Sequence, residues 1–327
     1  SAARRQFDVC TQFLAAELGV EPDDETVYLH QTILAKAVPS RTVKQQSAPP
    51  TDADAAQPGL PVRLTPLIGR EQEVAALLAL LAKPGTRLIT LIGPGGIGKS
   101  RLALAVAERL TDQFANGALF VEMAALETPG QLSSAILFEL DLTQASDSSP
   151  TQQLIDYLRN RRLLLILDNF EHLLAAAPTV VQLLQAAPGV TAVTTSRARL
   201  NVQGEHLFPV GGLLLPQSTE DEHEDRANTS IQLFVHQARQ QRPDFRLTIG
   251  NLPDVKRICR LVQGMPLGIL LAAGWVDLLT PHDIAERIAE SLDFLESDLQ
   301  DLPDRQRSLR AVFASTWATL SQYEQEV

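Results

Sequence analysis

The residues Gly93-Pro94-Gly95-Gly96-Ile97-Gly98-Lys99-Ser100 stand between two runs of very different pattern. Before them, Leu88-Ile89-Thr90-Leu91-Ile92 is branched and apolar, as in a buried strand; after them, Leu102, Val106 and Leu110 recur at helical spacing. A glycine-rich loop between strand and helix curls so that several N–H groups point inward, and the helix adds its positive end. The result is a concave seat for phosphate oxygens. In such a loop Lys99 would reach the β- and γ-phosphates and the Ser100 hydroxyl would bind Mg²⁺, a hard cation that prefers oxygen donors. The alternative is a turn that merely joins a strand to a helix. We take Gly93, Gly95, Gly96, Ile97, Gly98, Lys99, Ser100 and Arg101 as the cofactor-binding candidates of this stretch.

The surrounding pattern makes the fold class α/β. Strands are predicted at 88–92, 118–123, 163–167, 190–195 and 206–210, alternating with helices, which implies a parallel sheet with right-handed crossovers. Val74, Leu77, Leu78 and Leu81 mark a surface helix ahead of the first strand, and Leu154, Ile155 and Leu158 the inner face of a later one. Thr128-Pro129-Gly130-Gln131 has the form of a capping box. Beyond the acidic segment Glu220 to Asp225 the strand pattern stops and helical stripes take over, Ile231, Phe234, Val235 and then Val255, Ile258, Cys259, Val262.

At 327 residues the chain exceeds what one core usually serves. Residues 6–34 read as a helical hairpin, with Phe7, Cys10, Phe13, Leu14 and Leu18 forming a stripe, and the Pro-, Ala- and Gln-rich stretch from about 38 to 61 reads as a linker. The domains expected are 1–36, a linker at 37–62, a nucleotide-binding domain at 63–216, a helical subdomain at 217–298, and the start of a further domain at 299–327. The first residue is Ser1, and Ser321-Gln322-Tyr323-Glu324 opens a helix that ends at Val327, so a longer parent protein is expected.

A net charge of −11 argues against a nucleic-acid-binding surface in this stretch, because such surfaces cluster Lys and Arg. Cys10 and Cys259 are too far apart and too few for a disulfide framework or a zinc site, which points to a reducing cytoplasm. The apolar run from Met265 to Val276 is too short to span a bilayer. Neither DNA nor membrane is an expected partner of this stretch.

Arg162-Leu163-Leu164-Leu165-Ile166-Leu167-Asp168 is a buried-strand run ending in a carboxylate. Ligands of open α/β sheets gather at the carboxyl edge, so Asp168 suits a second Mg²⁺ contact through a water; the alternative is a helix N-cap. Val190 to Arg197 brings the hydroxyls of Thr194, Thr195 and Ser196 and an arginine to the same edge, where the planar fork of Arg197 could sense a γ-phosphate. The residue directly after the strand carboxylate is Asn169, which cannot accept a proton from water. Glu171 is the candidate general base, or else an exposed helical glutamate. The catalytic candidates are thus Lys99, Asp168, Arg197 and Glu171, and the metal candidates Ser100 and Asp168.

Together Ile68-Gly69-Arg70-Glu71, the loop at 93–100, Leu163 to Asn169, Thr194 to Arg197 and Gly264-Met265-Pro266-Leu267 resemble the NB-ARC class of STAND ATPases over roughly 65–320. Leu167 to His172 and Thr195-Ser196-Arg197 are most similar to the AfsR-like bacterial transcriptional regulators. Residues 9–34 resemble the last helices of a bacterial transcriptional activation domain (BTAD), and 305–320, with Trp317, the start of a winged-helix domain. The resemblance implies adenosine contacts for Ile68, Gly69, Arg70 and Pro266. It also implies ATP or ADP with Mg²⁺ as cofactors, other domains of the same chain as partners, and nucleotide-dependent self-assembly; many hydrolytic members of the family place a second acid after the strand carboxylate, and Asn169 at that position makes slow or absent hydrolysis the expectation.

Overall fold

The structure, a computed structural model, describes residues 59–143, 148–216, 227–295 and 308–310. The predicted hairpin, the acidic segment 220–225 and the last capping box lie outside the described residues, as does nearly all of the linker.

Five strands form one parallel sheet: β1 (Leu88–Ile92), β2 (Ala118–Glu122), β3 (Leu164–Asp168), β4 (Thr191–Ser196) and β5 (Glu205–Pro209). Each lies within a residue of its predicted bounds. The order across the sheet is β2-β3-β4-β1-β5. This order positions the site. β4 lies between β1 and β3, in register with both: Ile92 stands beside Ser196, and Leu167 beside Thr194. The loops leaving β1, β3 and β4 therefore emerge side by side at the carboxyl edge.

Helices cover both faces, so strand residues are apolar at successive positions and alternate between two cores. Leu165 and Leu167 pack with α3 (Gln131–Glu139), α4 (Pro150–Leu158) and α5 (Ala177–Ala186); Leu164 and Ile166 pack with α2 (Lys99–Leu110) on the other face. The predicted stripe Leu102, Val106, Leu110 is buried in α2, Leu154, Ile155 and Leu158 are buried in α4, and Val74 and Leu77 anchor α1 (Glu71–Leu81). The capping box at 128–131 forms only in part. The Gln131 side chain accepts from the amides of Glu127 and Thr128, but the Thr128 hydroxyl does not cap, because α3 begins two residues late, after Gly130.

Four helices follow the sheet: α6 (Thr229–Gln241), α7 (Leu252–Leu261), α8 (Pro266–Gly274) and α9 (Pro281–Glu290). Asn228 caps α6 by accepting from the amides of Ser230 and Ile231, and Thr280 with Asp283 forms a complete capping box on α9. Their core residues Ile231, Phe234, Val255, Ile258 and Ile269 belong to the same apolar cluster as α2 and one sheet face. Cys259 sits within it, and desolvation pushes its thiol up to about 12, which makes it inert. Among the described residues no helix is long and apolar enough to cross a membrane.

Candidate functional site

The loop after β1 is built as the glycines foretell. Gly96 and Gly98 hold φ of 72° and 95°, and a side chain at Gly96 would collide with Leu267 of α8, whose amide donates to the Gly96 carbonyl at 3.2 Å. Every main-chain N–H from Gly95 to Arg101 lacks a protein acceptor among the described residues. The first regular bond of α2 runs from Leu102 to Gly98. These are the open amides of a helix start and the curled loop before it.

Lys99 is 8% exposed, and its ammonium donates to the carbonyls of Gly93 at 2.8 Å and Pro94 at 3.0 Å. Desolvation by burial lowers its pKa to about 8; Glu171 and Asp168 oppose that shift and Arg197 adds to it. A buried cation bonded only to carbonyls, beside open amides, fits an incoming polyanion.

Asp168 ends β3 and is buried, and its Oδ1 accepts the Thr195 hydroxyl at 2.6 Å. That hydroxyl in turn accepts the Asn169 amide at 2.9 Å. Asn169 is left-handed, with φ 64° and ψ 52°, and the chain then makes a 3₁₀ turn over Phe170–His172. Asp168 is therefore no N-cap; the turn is too tight and begins a residue later. Of the predicted hydroxyl cluster only Thr195 reaches Asp168. Thr194 lies inside the sheet, donating to the Thr90 hydroxyl at 2.9 Å, and Ser196 Oγ accepts the Ala198 amide. Strand pleating turns neighbouring side chains to opposite faces.

Arg197 and Glu171 form an ion pair at 3.1 Å, with side chains 9% and 11% exposed. The reading of Glu171 as an exposed helical glutamate is thereby corrected: the 3₁₀ turn tucks it against the end of β4.

These residues meet at a cavity of about 880 Å³ between the sheet edge and the helices. Gly95, Gly96, Gly98, Lys99, Ser100, Glu171 and Arg197 line one end, and Ile68, Arg70, Arg101 and Pro266 also border it. Gly69, Gly93, Ile97 and Asp168 are not among its lining residues. Two arginines behave differently from their expectation. The Arg70 guanidinium is buried and donates to the carbonyls of Ile97 (3.0 Å) and Gly211 (2.7 Å), so it clasps the loop. The Arg101 guanidinium turns to Thr65 and Pro66, leaving only its amide to the loop. Sequence reasoning missed the apolar wall made by Leu67, Leu233, Leu270 and Trp275, with Gln237 beside it. Leu233, Gln237, Gln240 and Gln241 share one face of α6, a second stripe at helical spacing that the stronger Ile231–Phe234 stripe masks.

Among the described residues no three His, Cys, Asp or Glu side chains converge. A divalent cation at Ser100 and Asp168 would thus complete its shell with phosphate and water oxygens, as magnesium commonly does.

Residues 83–206 match the family model described as an AAA domain. The five-stranded parallel sheet and the glycine-rich loop after β1 agree with that match: over these residues the fold is α/β and P-loop NTPase-like. The chain is 34% identical over 248 residues to a Mycobacterium tuberculosis protein named an HTH-type transcriptional regulator, covering 76% of this chain and 26% of that one. Regulatory protein AfsR of Streptomyces griseus is 31% identical over 216 residues, 60% of this chain and 21% of its own. The chain thus spans about a quarter of the length of the named regulators it matches. Among solved structures, the STAND protein with a tetratricopeptide repeat sensor from Pyrococcus horikoshii aligns with a TM-score of 0.40 and 16% identity, over 81% of this chain and 34% of that one.

Proposed function

We propose that this stretch is an ATP- and ADP-binding switch module of a bacterial, cytoplasmic transcriptional regulator, with nucleotide state setting the conformation of the parent protein. The observation that carries the reading is the buried Lys99 ammonium beside the open amides of Gly95 to Arg101. The residue roles follow from position. The amides and Lys99 hold the β- and γ-phosphates, and Ser100 with Asp168 hold Mg²⁺, which would neutralise phosphate charge. Asp168, whose Oδ1 accepts the Thr195 hydroxyl, would contact that cation through a water. Ile68, Gly69, Arg70 and Pro266 shape the nucleoside end, Arg70 by clasping the loop rather than by touching the base.

Hydrolysis is slow in this reading. Asn169 cannot take a proton, and Glu171, the remaining base, is held by Arg197. A switch needs only a ligand that binds one conformation better than another. The same pair supports a second reading, a non-hydrolysing scaffold stabilised by ADP, and a turnover assay separates the two. The domains at 1–36, 63–216, 217–298 and 299–327, the BTAD and winged-helix assignments, and nucleotide-dependent self-assembly belong to this proposal.

Calorimetry with Mg²⁺ and ATP tests the site. Wild-type chain should release or take up heat with one site per chain, and Lys99→Ala should abolish it by removing the phosphate counter-charge. Unchanged affinity in that variant refutes the assignment.

A further inference from the structure

Arg101 follows the lysine and serine of the loop directly, yet its side chain does not join them. Its Nη2 lies 2.8 Å from the Thr65 carbonyl, 2.7 Å from the Thr65 hydroxyl and 2.9 Å from the Pro66 carbonyl. The reverse bond exists as well. Arg63 donates through Nη1 to the Arg101 carbonyl at 2.9 Å and pairs with Glu108, about two turns further along the same helical face. Two arginines, one from each side, thus lace residues 63–66 to the first turns of α2.

Residues 59–70 form no helix or strand of their own. Leu64 to Ile68 nevertheless line the same cavity as Lys99 and Ser100. Leu67 and Ile68 pack on the core, but Leu64 is 95% exposed, so apolar burial does not hold the outer part of this strap. A segment without secondary structure keeps one conformation only where specific bonds hold it. Here those bonds are the arginine contacts, and they originate in the helix whose start carries the phosphate amides. A planar guanidinium suits the task, because one nitrogen can sit among several oxygens in a fixed plane.

We propose that Arg101 is a positioning residue that couples the phosphate loop to the wall against which the nucleoside packs, with Arg63 as its counterpart on the strap. The inference rests on the nucleotide reading above and deepens it. Arg101 places the strap; the strap, not Arg101, meets the nucleoside. Losing the lacing leaves the phosphate seat in place and makes the binding of the nucleoside carry the ordering of the strap, which weakens it.

The test compares two ligands on the full chain. Inorganic tripolyphosphate engages only the phosphate seat, whereas ATP engages seat and strap. With Mg²⁺ present, Arg101→Ala and Arg63→Ala should each weaken ATP about tenfold relative to tripolyphosphate, and Arg101→Lys should recover part of the loss. Tripolyphosphate binding doubles as the check that the variants fold. A role confined to stability would lower both affinities and the unfolding temperature together. Equal weakening of the two ligands, or an unchanged ratio, overturns the proposal. Wild-type chain that binds neither ligand overturns the nucleotide reading itself; wild-type chain that binds tripolyphosphate as tightly as ATP overturns only the role of the strap.

Discussion

Burial makes Lys99 a titrating group near neutral pH. Desolvation alone would neutralise it further; Glu171 and Asp168 hold its pKa at about 8. Phosphate in the loop would raise that value, so the complex holds more protons than the free chain around pH 8. The affinity for ATP should therefore be level below pH 7 and fall as pH rises through 8, by up to about tenfold per pH unit. Calorimetry at pH 8 in buffers of differing ionisation heat should show proton uptake on binding. Arg197 sits at the same edge with Glu171 as partner. In the nucleotide reading proposed above, a γ-phosphate would compete with that carboxylate for the guanidinium, and ADP would not. Arg197→Ala should narrow the preference between ATP and ADP, and equal weakening of both counts against γ-phosphate sensing. Residue identity was legible here and residue environment was not. Lys99, Asp168 and Arg197 stand out in the sequence by type and spacing, but the Glu171–Arg197 pair depends on a 3₁₀ turn that no periodicity announces.

At the scale of elements, the strands could be read to within a residue because both sheet faces are covered, which leaves near-continuous apolar runs such as Leu163 to Leu167. Loops were read less well. The strap before α1 carries no period, so periodicity did not place it beside the cavity; only the family resemblance pointed to Ile68, Arg70 and, between them, Gly69. Its φ is 71°, and an added Cβ would lie 2.3 Å from the Thr229 Cβ at the start of α6. Gly69→Ala should therefore push the strap off α6, lowering stability by about 1–3 kcal/mol and weakening ATP, as denaturant titration and calorimetry would register. A neutral variant at this position would show that strap and α6 are not in close contact.

Across the whole molecule, one apolar cluster runs from α2 and the sheet through Val210 and Leu213 into α6, α7, α8 and α9. The cavity lies along that junction, so a ligand in it touches the loop at one end and Leu233, Leu270 and Trp275 at the other. Nucleotide at a hundredfold excess over its dissociation constant should stabilise the chain by about 2.7 kcal/mol. For a unit of this size that is a rise of roughly 5–10 °C in unfolding temperature, measurable by calorimetric scanning and absent in Lys99→Ala.

Taken alone, the sequence determined the α/β class, the phosphate loop and the acid at the end of β3, because these rest on local chemistry: periodicity, glycine freedom and residue type at a strand end. The sequence also placed Asp168 and Arg197 at the loop's edge of the sheet, but only the tertiary structure decided that their strands are neighbours there, with β4 between β1 and β3. The tertiary structure also decided what Arg70 and Arg101 hold. A guanidinium takes whichever carbonyls the fold brings within reach, and those acceptors lie as far away along the chain as Gly211 is from Arg70.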